Sequence, residues 1–259
     1  MANLRTKLQV FWLAAVVTVT LYGQGRGGRG EAAPTTPKAA APIDLTGYWV
    51  SLVTEDWRLR MFTPLKGDYT SVPLNASARK IADAWDPAKD EAAGEQCRSY
   101  GAANIMRVPG RLHVTWQDDQ TLKMEIDAGT QTRVFYFGTP QSQGGDWQGV
   151  SVASWEFMPA PITDVLAPRN RNDSRFGSLK VVTTKMKPGY LRTNGVPYSG
   201  DALLTEYYDR VSEPDGTSYL VVTTTVEDPT YLNQPFRTST HFKKQADAAG
   251  WNPTPCAVR

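Results

Sequence analysis

The sequence predicts an all-β protein built as a single antiparallel β-barrel with one short helical excursion. Two patterns and one absence predict it. Past residue 110, short runs alternate apolar and polar side chains, as half-buried strands do. Clusters of Gly, Asn, Asp and Pro punctuate those runs at close spacing, which suits hairpins closing into a sandwich or an up-and-down barrel. Strand does not alternate with helix in the way a parallel sheet requires. At 259 residues the chain is long enough for one large domain of this kind.

Residues 1–25, "MANLRTKLQVFWLAAVVTVTLYGQG", have the anatomy of an export signal. Arg5 and Lys7 precede a short apolar core, and Gly23 and Gly25 supply small residues near a cleavage point. The apolar run is shorter than the roughly 20 residues that span a bilayer, so no stable membrane span is expected once the signal is removed. Residues 26–42 are rich in Gly, Ala and Pro without apolar periodicity and read as a flexible linker. The barrel domain is expected over residues 43–259. The mature protein is then exported, periplasmic or secreted.

Of the 28 Lys and Arg residues, Arg5, Lys7, Arg26 and Arg29 lie in residues 1–33, with Glu31 among the 26 acids. The remainder carries 24 positive and 25 negative side chains. A near-neutral body lacks the basic footprint of a nucleic-acid binder, and that class is set aside. Cys97 and Cys256 form an even pair in an oxidising compartment, which reads as one disulfide.

The elements follow in order. "DLTGYWVSLVTEDW" (44–57) opens the body as a first strand. "NASARKIADAWDPAKDEAAG" (75–94) reads as the helix, capped by Asn75 or Ser77, with Ile81, Ala82 and Trp85 on one face and a break at Asp86–Pro87. "RLHVTW" and "LKMEID" flank "QDDQ" as an antiparallel hairpin, with Leu112, Val114, Trp116, Leu122, Met124 and Ile126 sharing the apolar faces. Further strands follow as "TRVFYFG", "VSVASWEF", "SLKVVTTKM", "ALLTEYYDRV", "SYLVVTTTVED" and "FRTSTHFKK".

"TGYW" (46–49) resembles the Gly-X-Trp signature that opens the first strand of lipocalins and their calycin relatives. The resemblance implies a lipocalin-like barrel in which Gly47 and Trp49 are structural, Trp49 closes one end, and Arg237 near the last strand stacks on it. A Cys in the body bridged to a Cys in the tail is similar to a lipocalin arrangement as well. The blocks "WQGVSVASWE", "GSLKVVTT", "YSGDALLTEYYDRV" and "LVVTTTVEDPTYLNQPF" resemble a mostly uncharacterised family of exported bacterial proteins over residues 95–242. That family brings no established reaction, and "MPAPITDVLAPRNRND" (158–173) is an insertion against its pattern.

Candidate chemistry centres on "LTEYYDR", where Leu204, Glu206, Tyr208 and Arg210 share one face. If that face looks inward, Glu206 is either a desolvated general acid or base, or one half of an ion pair with Arg133 or Arg210. His113 and His241 are the only histidines, and neither stands in a ligand-spaced motif; no metal and no cofactor are expected. Glu227–Asp228 before Pro229 suit a turn cap or, alternatively, oxygen ligands for Ca²⁺. Arg58 and Arg60 in "EDWRLRM" either receive an anionic ligand group or pair with Glu55 and Asp56. No nucleophile elbow, P-loop or dinucleotide fingerprint is present.

Two functions compete on this reading. One is binding of a small hydrophobic or aromatic molecule in the barrel mouth, lined by Trp116, Phe135, Tyr136, Trp155, Arg133 and Tyr207. The other is a cofactor-free lyase, isomerase or cyclase using Glu206 with His113, His241 or Tyr208. The oligomeric state is left open.

Overall fold

A computed structural model describes residues 36–157 and 177–258, and these described residues fall in one compact unit. The expected export signal and the insertion at 158–173 lie outside the described residues.

Nine strands close into a barrel. In spatial order they are β1 (Gly47–Leu52), β12 (Phe236–Gln245), β11 (Ser218–Glu227), β10 (Leu203–Ser212), β7 (Gly177–Thr184), β6 (Val150–Phe157), β5 (Gln131–Tyr136), β3 (Thr121–Ile126) and β2 (Arg111–Trp116). Two small ribbons lie outside the barrel. One joins β8 (Gly189–Arg192) to β9 (Val196–Tyr198), and the other joins β4 (Ala128–Gly129) to β13 (Thr254–Pro255).

The barrel is mixed rather than purely antiparallel. β5 and β6 run parallel, with Phe135 opposite Ser151 and Tyr136 opposite Val152, while every other neighbouring pair of the barrel is antiparallel. Parity explains the exception. Directions cannot alternate all the way round a ring with an odd number of strands, so at least one neighbouring pair must be parallel. Residues 137–149 carry the chain back along the barrel to make that pair, where a hairpin would have reversed it.

Alternation along the strands fills the interior. Leu112, Val114, Leu122, Met124, Phe135, Leu179, Val181, Tyr208, Leu220, Val222 and Phe242 are buried in one cluster with Trp49. Trp116, Phe137 and Trp155 stack together, with ring centroids 5.3–6.4 Å apart, where β2 turns into β3. Trp49 is fully buried and donates from Nε1 to the Leu45 carbonyl at 2.9 Å. The cation over its ring is Lys244, at 4.5 Å, which lies opposite Trp49 on β12. Arg237, expected in that role, lies at the other end of β12 opposite Thr225. Gly47 has φ +95°, and a Cβ there would meet Lys244 Nζ at 2.9 Å, so glycine leaves room for the lysine over Trp49.

Segment 53–110, the β8–β9 hairpin and the loop after β11 gather over the other end of the barrel. Their second core joins Tyr69, Val72, Leu74, Ala78, Ala82, Leu191 and Tyr198 to the strand ends at Leu204, Val226 and Phe236. The expected helix forms as two, α3 (Ala76–Asp83) and α4 (Pro87–Ala92), separated at Asp86–Pro87. Asn75 caps α3 by accepting from Ala78 N at 2.9 Å, and Asp86 caps α4 from Ala88 N at 3.1 Å. Ala78 and Ala82 face the core, whereas Ile81, expected there, is exposed.

Two further segments depart from their expected form. In the expected linker, α1 (Pro37–Ala40) makes a helical turn held to the barrel through Trp155 Nε1, which donates to the Pro37 carbonyl at 2.8 Å. Residues 57–61, expected at the end of the first strand, form the helical turn α2 (Trp57–Met61). The disulfide forms as expected, joining Cys97 to Cys256 with their Cα atoms 5.1 Å apart. No described helix is long and apolar enough to cross a membrane.

Candidate anion-binding site

Glu206 and Arg133 meet inside the barrel, both with fully buried side chains. Arg133 clamps the carboxylate with both terminal nitrogens, at 2.9 and 2.6 Å, and adds bonds to Tyr208 Oη at 3.1 Å and Thr183 Oγ1 at 3.3 Å. Burial alone would push the guanidinium down; the Glu206 charge and Tyr208 outweigh it and hold Arg133 above its ordinary range. Burial raises the Tyr208 phenol well above its usual value. Of the two readings of Glu206, the structure gives the ion pair, with both carboxylate oxygens engaged.

The other expected residues scatter. Phe135 is part of the core, 5.6 Å from the Tyr208 ring. Trp116 and Trp155 belong to the aromatic plug near the β2–β3 turn. Tyr136 and Tyr207 are half-buried, and Lys180 Nζ sits 5.5 Å from the Tyr207 ring. His113 stacks on Tyr48 at 4.1 Å and meets Glu125 at 3.2 Å. His241 faces Glu55, with Nδ1 3.0 Å from its carboxylate. The two histidines lie on opposite flanks of β1, against Tyr48 and Leu52, and do not come together. Asp228 is a turn cap, its oxygens taken by Ser199 N at 2.6 Å, Ser199 Oγ at 2.8 Å and Thr230 N at 2.9 Å. Among the described residues, no cluster of three or more His, Cys, Asp or Glu forms a metal site.

The charged site lies under the cap instead. Arg60 from α2, Arg107 from the turn after α5 (Ala102–Ile105) and Arg192 at the end of β8 are all buried. With Tyr100, Asn104 and Thr193 they line a cleft of about 10 Å³, room for about one water molecule. Arg60 donates from Nε to the Arg107 carbonyl at 2.9 Å and pairs with Glu55. Arg107 reaches Asp56 Oδ2 with both terminal nitrogens at 3.2 Å. Asp56 occupies the left-handed region at φ 49°. It stands before α2 without capping it, its carboxylate being turned to Arg107.

Arg192 differs from its neighbours. All three guanidinium nitrogens are buried, and among the described residues none has a hydrogen-bond partner. Its guanidinium lies over the Phe236 ring, 5.9 Å away. Burial, then the Arg107 charge, push it down to about 10, so at neutral pH it still carries its proton. Burial lowers Arg60 and Arg107 too. Among the described residues three guanidiniums thus face two carboxylates, which leaves one positive charge uncompensated in a narrow cleft. An unpaired buried charge is costly, and an anion seated against it repays that cost.

The neighbouring turn is tightly built. Gly195 has φ +79°, and a Cβ would fall 2.1 Å from the Trp85 ring, so only glycine lets the hairpin lie there. Asn194 is fully buried and donates from Nδ2 to the Leu65 and Asp68 carbonyls at 3.1 Å, and among the described residues its Oδ1 has no partner.

No family model, no curated protein and no solved structure matches the chain. The closed nine-stranded barrel is compatible with a lipocalin-like one at the level of architecture. Sequence reading missed Arg107 and Arg192. Arg107 has one signal, a lone arginine among Ile105, Met106, Val108 and Pro109, where a surface arginine would have polar company, whereas Arg192, followed by Thr193 and Asn194, has none. Of the two arginines in "EDWRLRM", Arg60 turns inward to Glu55, while Arg58 pairs with Asp68 at 2.7 Å outside.

Proposed function

We propose that this is an exported, lipocalin-like binding protein whose ligand presents an oxyanion of one negative charge to Arg192, with Arg60 and Arg107 alongside. The observation that carries the reading is Arg192 itself, a buried guanidinium whose three nitrogens are all unpartnered among the described residues. The single excess charge favours a monoanion. The size of the cleft admits a carboxylate or phosphate oxygen and leaves the rest of the ligand outside. The lipocalin-like assignment draws on Gly47 and Trp49 at the start of a closed barrel, and export draws on the leader and the disulfide. Support for an apolar ligand in the barrel is weaker, because Phe135 and Tyr208 are spent on the core.

A second reading has one observation in its favour. Glu55 joins Arg60 to His241, so a carboxylate-oriented imidazole stands beside the anion cleft. In an enzyme acting on a carboxylate substrate, His241 would be the base and Arg192 the anchor.

Titration calorimetry of the mature protein with acetate and inorganic phosphate tests the main reading. Saturable binding that Arg192→Met abolishes is expected, and Arg192→Lys retains it weakly, since an ammonium keeps the charge but loses the planar fork. Absence of binding by either anion refutes the reading.

A further inference from the structure

Eight large apolar side chains are exposed among the described residues, and four of them fall within residues 57–65. Trp57 is 58% exposed, Met61 51%, Phe62 64% and Leu65 82%. Trp57 and Met61 stand four apart on α2 and so share a face, and Phe62 packs edge-on to Trp57 at 6.5 Å. Arg58 and Lys66 are exposed among them.

This segment belongs to the arginine cleft at both ends. Arg60, on α2, is a wall of the cleft and is tied to the Arg107 carbonyl. Leu65 and Asp68 are held by Asn194, the second residue after Arg192. Residues 57–65 therefore form an apolar lip, pinned on either side of the unpaired charge. Their exposure also says what kind of ligand suits them. A tail-binding groove would hide its lining, whereas side chains exposed by half or more protrude and enter something softer than a groove. Protruding Trp and Phe beside Arg and Lys is the composition of a segment that lies in a membrane interface.

We propose that the 57–65 lip docks on a lipid bilayer, inserting Trp57, Phe62 and Leu65 among the acyl chains while the cleft at Arg192 takes an anionic headgroup oxygen. The inference rests on the anion reading above and adds the source of the anion. A phosphodiester headgroup carries one negative charge, which equals the excess in the cleft. Its oxygen enters while the glycerol and acyl chains stay at the lip, in keeping with the small volume of the cleft.

Vesicle co-sedimentation of the mature protein tests it, with phosphatidylcholine vesicles against vesicles containing phosphatidylglycerol. Binding with preference for the anionic vesicles is expected. Trp57→Ser, Phe62→Ser and Leu65→Ser combined should weaken it on the order of a hundredfold, since each side chain loses roughly half of a full burial. These residues are exposed, so the triple variant keeps its fold, which circular dichroism verifies. Arg192→Met should remove the preference for phosphatidylglycerol. Three results overturn the inference: no vesicle binding, binding that survives the triple variant, or a preference that survives Arg192→Met. If acetate still binds while vesicles do not, the membrane inference falls and the anion reading stands; if acetate, phosphate and vesicles all fail, both fall.

Discussion

Replacing a buried, unpaired arginine should stabilise this protein, which is the reverse of what removing a buried side chain usually does. Among the described residues Arg192 pairs with no carboxylate, and burial together with Arg107 pushes its guanidinium well down from its ordinary value to about 10. Each pKa unit is about 1.36 kcal/mol of preference between protonation states, so the charged form costs the fold roughly 3 kcal/mol at neutral pH. The sign follows from the lowered value. The penalty is fully present below pH 10, and it is relieved as pH rises above 10 towards the ordinary guanidinium range. Arg192→Met removes the charge and keeps an unbranched apolar stem. It also loses the contact with Phe236, roughly 0.5–2 kcal/mol. The net expectation is about 1–3 kcal/mol of added stability in buffer without binding anions. At about 2–4 °C per kcal/mol for a domain of this size, Tm rises by several degrees. Differential scanning calorimetry measures it in a zwitterionic buffer, then again with saturating acetate. The acetate arm should raise wild-type Tm and leave the variant unmoved, so the gap narrows. A variant less stable than wild type in the anion-free arm would refute the reasoning, because Arg192 would then be holding the hairpin in place.

Two further outcomes follow from the buried groups. Glu206→Leu strands Arg133 without its partner and should cost about 3–5 kcal/mol, while Glu206→Leu with Arg133→Met should recover most of that loss in urea denaturation; a double variant as unstable as the two single variants summed would contradict it. Tyr69 donates to Asp83 at 2.7 Å, and burial with that bond pushes its phenol up to about 12, so its contribution is intact below pH 10 and lost between pH 10 and 12. Tyr69→Phe should flatten the fall in stability across that window, read as urea midpoints against pH, and an unchanged slope would count against it.

The parts of the fold that were legible in the sequence are those set by local periodicity. The β2–β3 hairpin announces itself because Leu112, Val114, Leu122, Met124 and Ile126 alternate strictly with polar residues. The face of β10 that turns inward was legible for the same reason, and Arg133 stood among the partners that Glu206 was expected to have. Strand parity was not legible, because it depends on how many strands close the ring and on the route of residues 137–149. Nor was the arginine cleft. Arg60, Arg107 and Arg192 come from a short helix, a turn and the end of a strand that are far apart in the chain, and only the folding of these segments over the barrel end brings them together. The lysine over Trp49 was missed for a smaller reason: Arg237 and Lys244 occupy the same strand, and only the register with β1 decides between them.

The closure of the barrel carries a consequence for how the chain is made. β1 pairs with β2 on one side and with β12 on the other, so the first strand of the barrel to be synthesised waits for the last strand of the barrel. Until β12 arrives, β1 presents an open row of backbone donors and acceptors, an invitation to pair with another copy. Contacts between such distant segments also slow folding. Arrival of β12, more than burial of the core, is therefore the event that ends the growing chain's exposure to edge-to-edge aggregation.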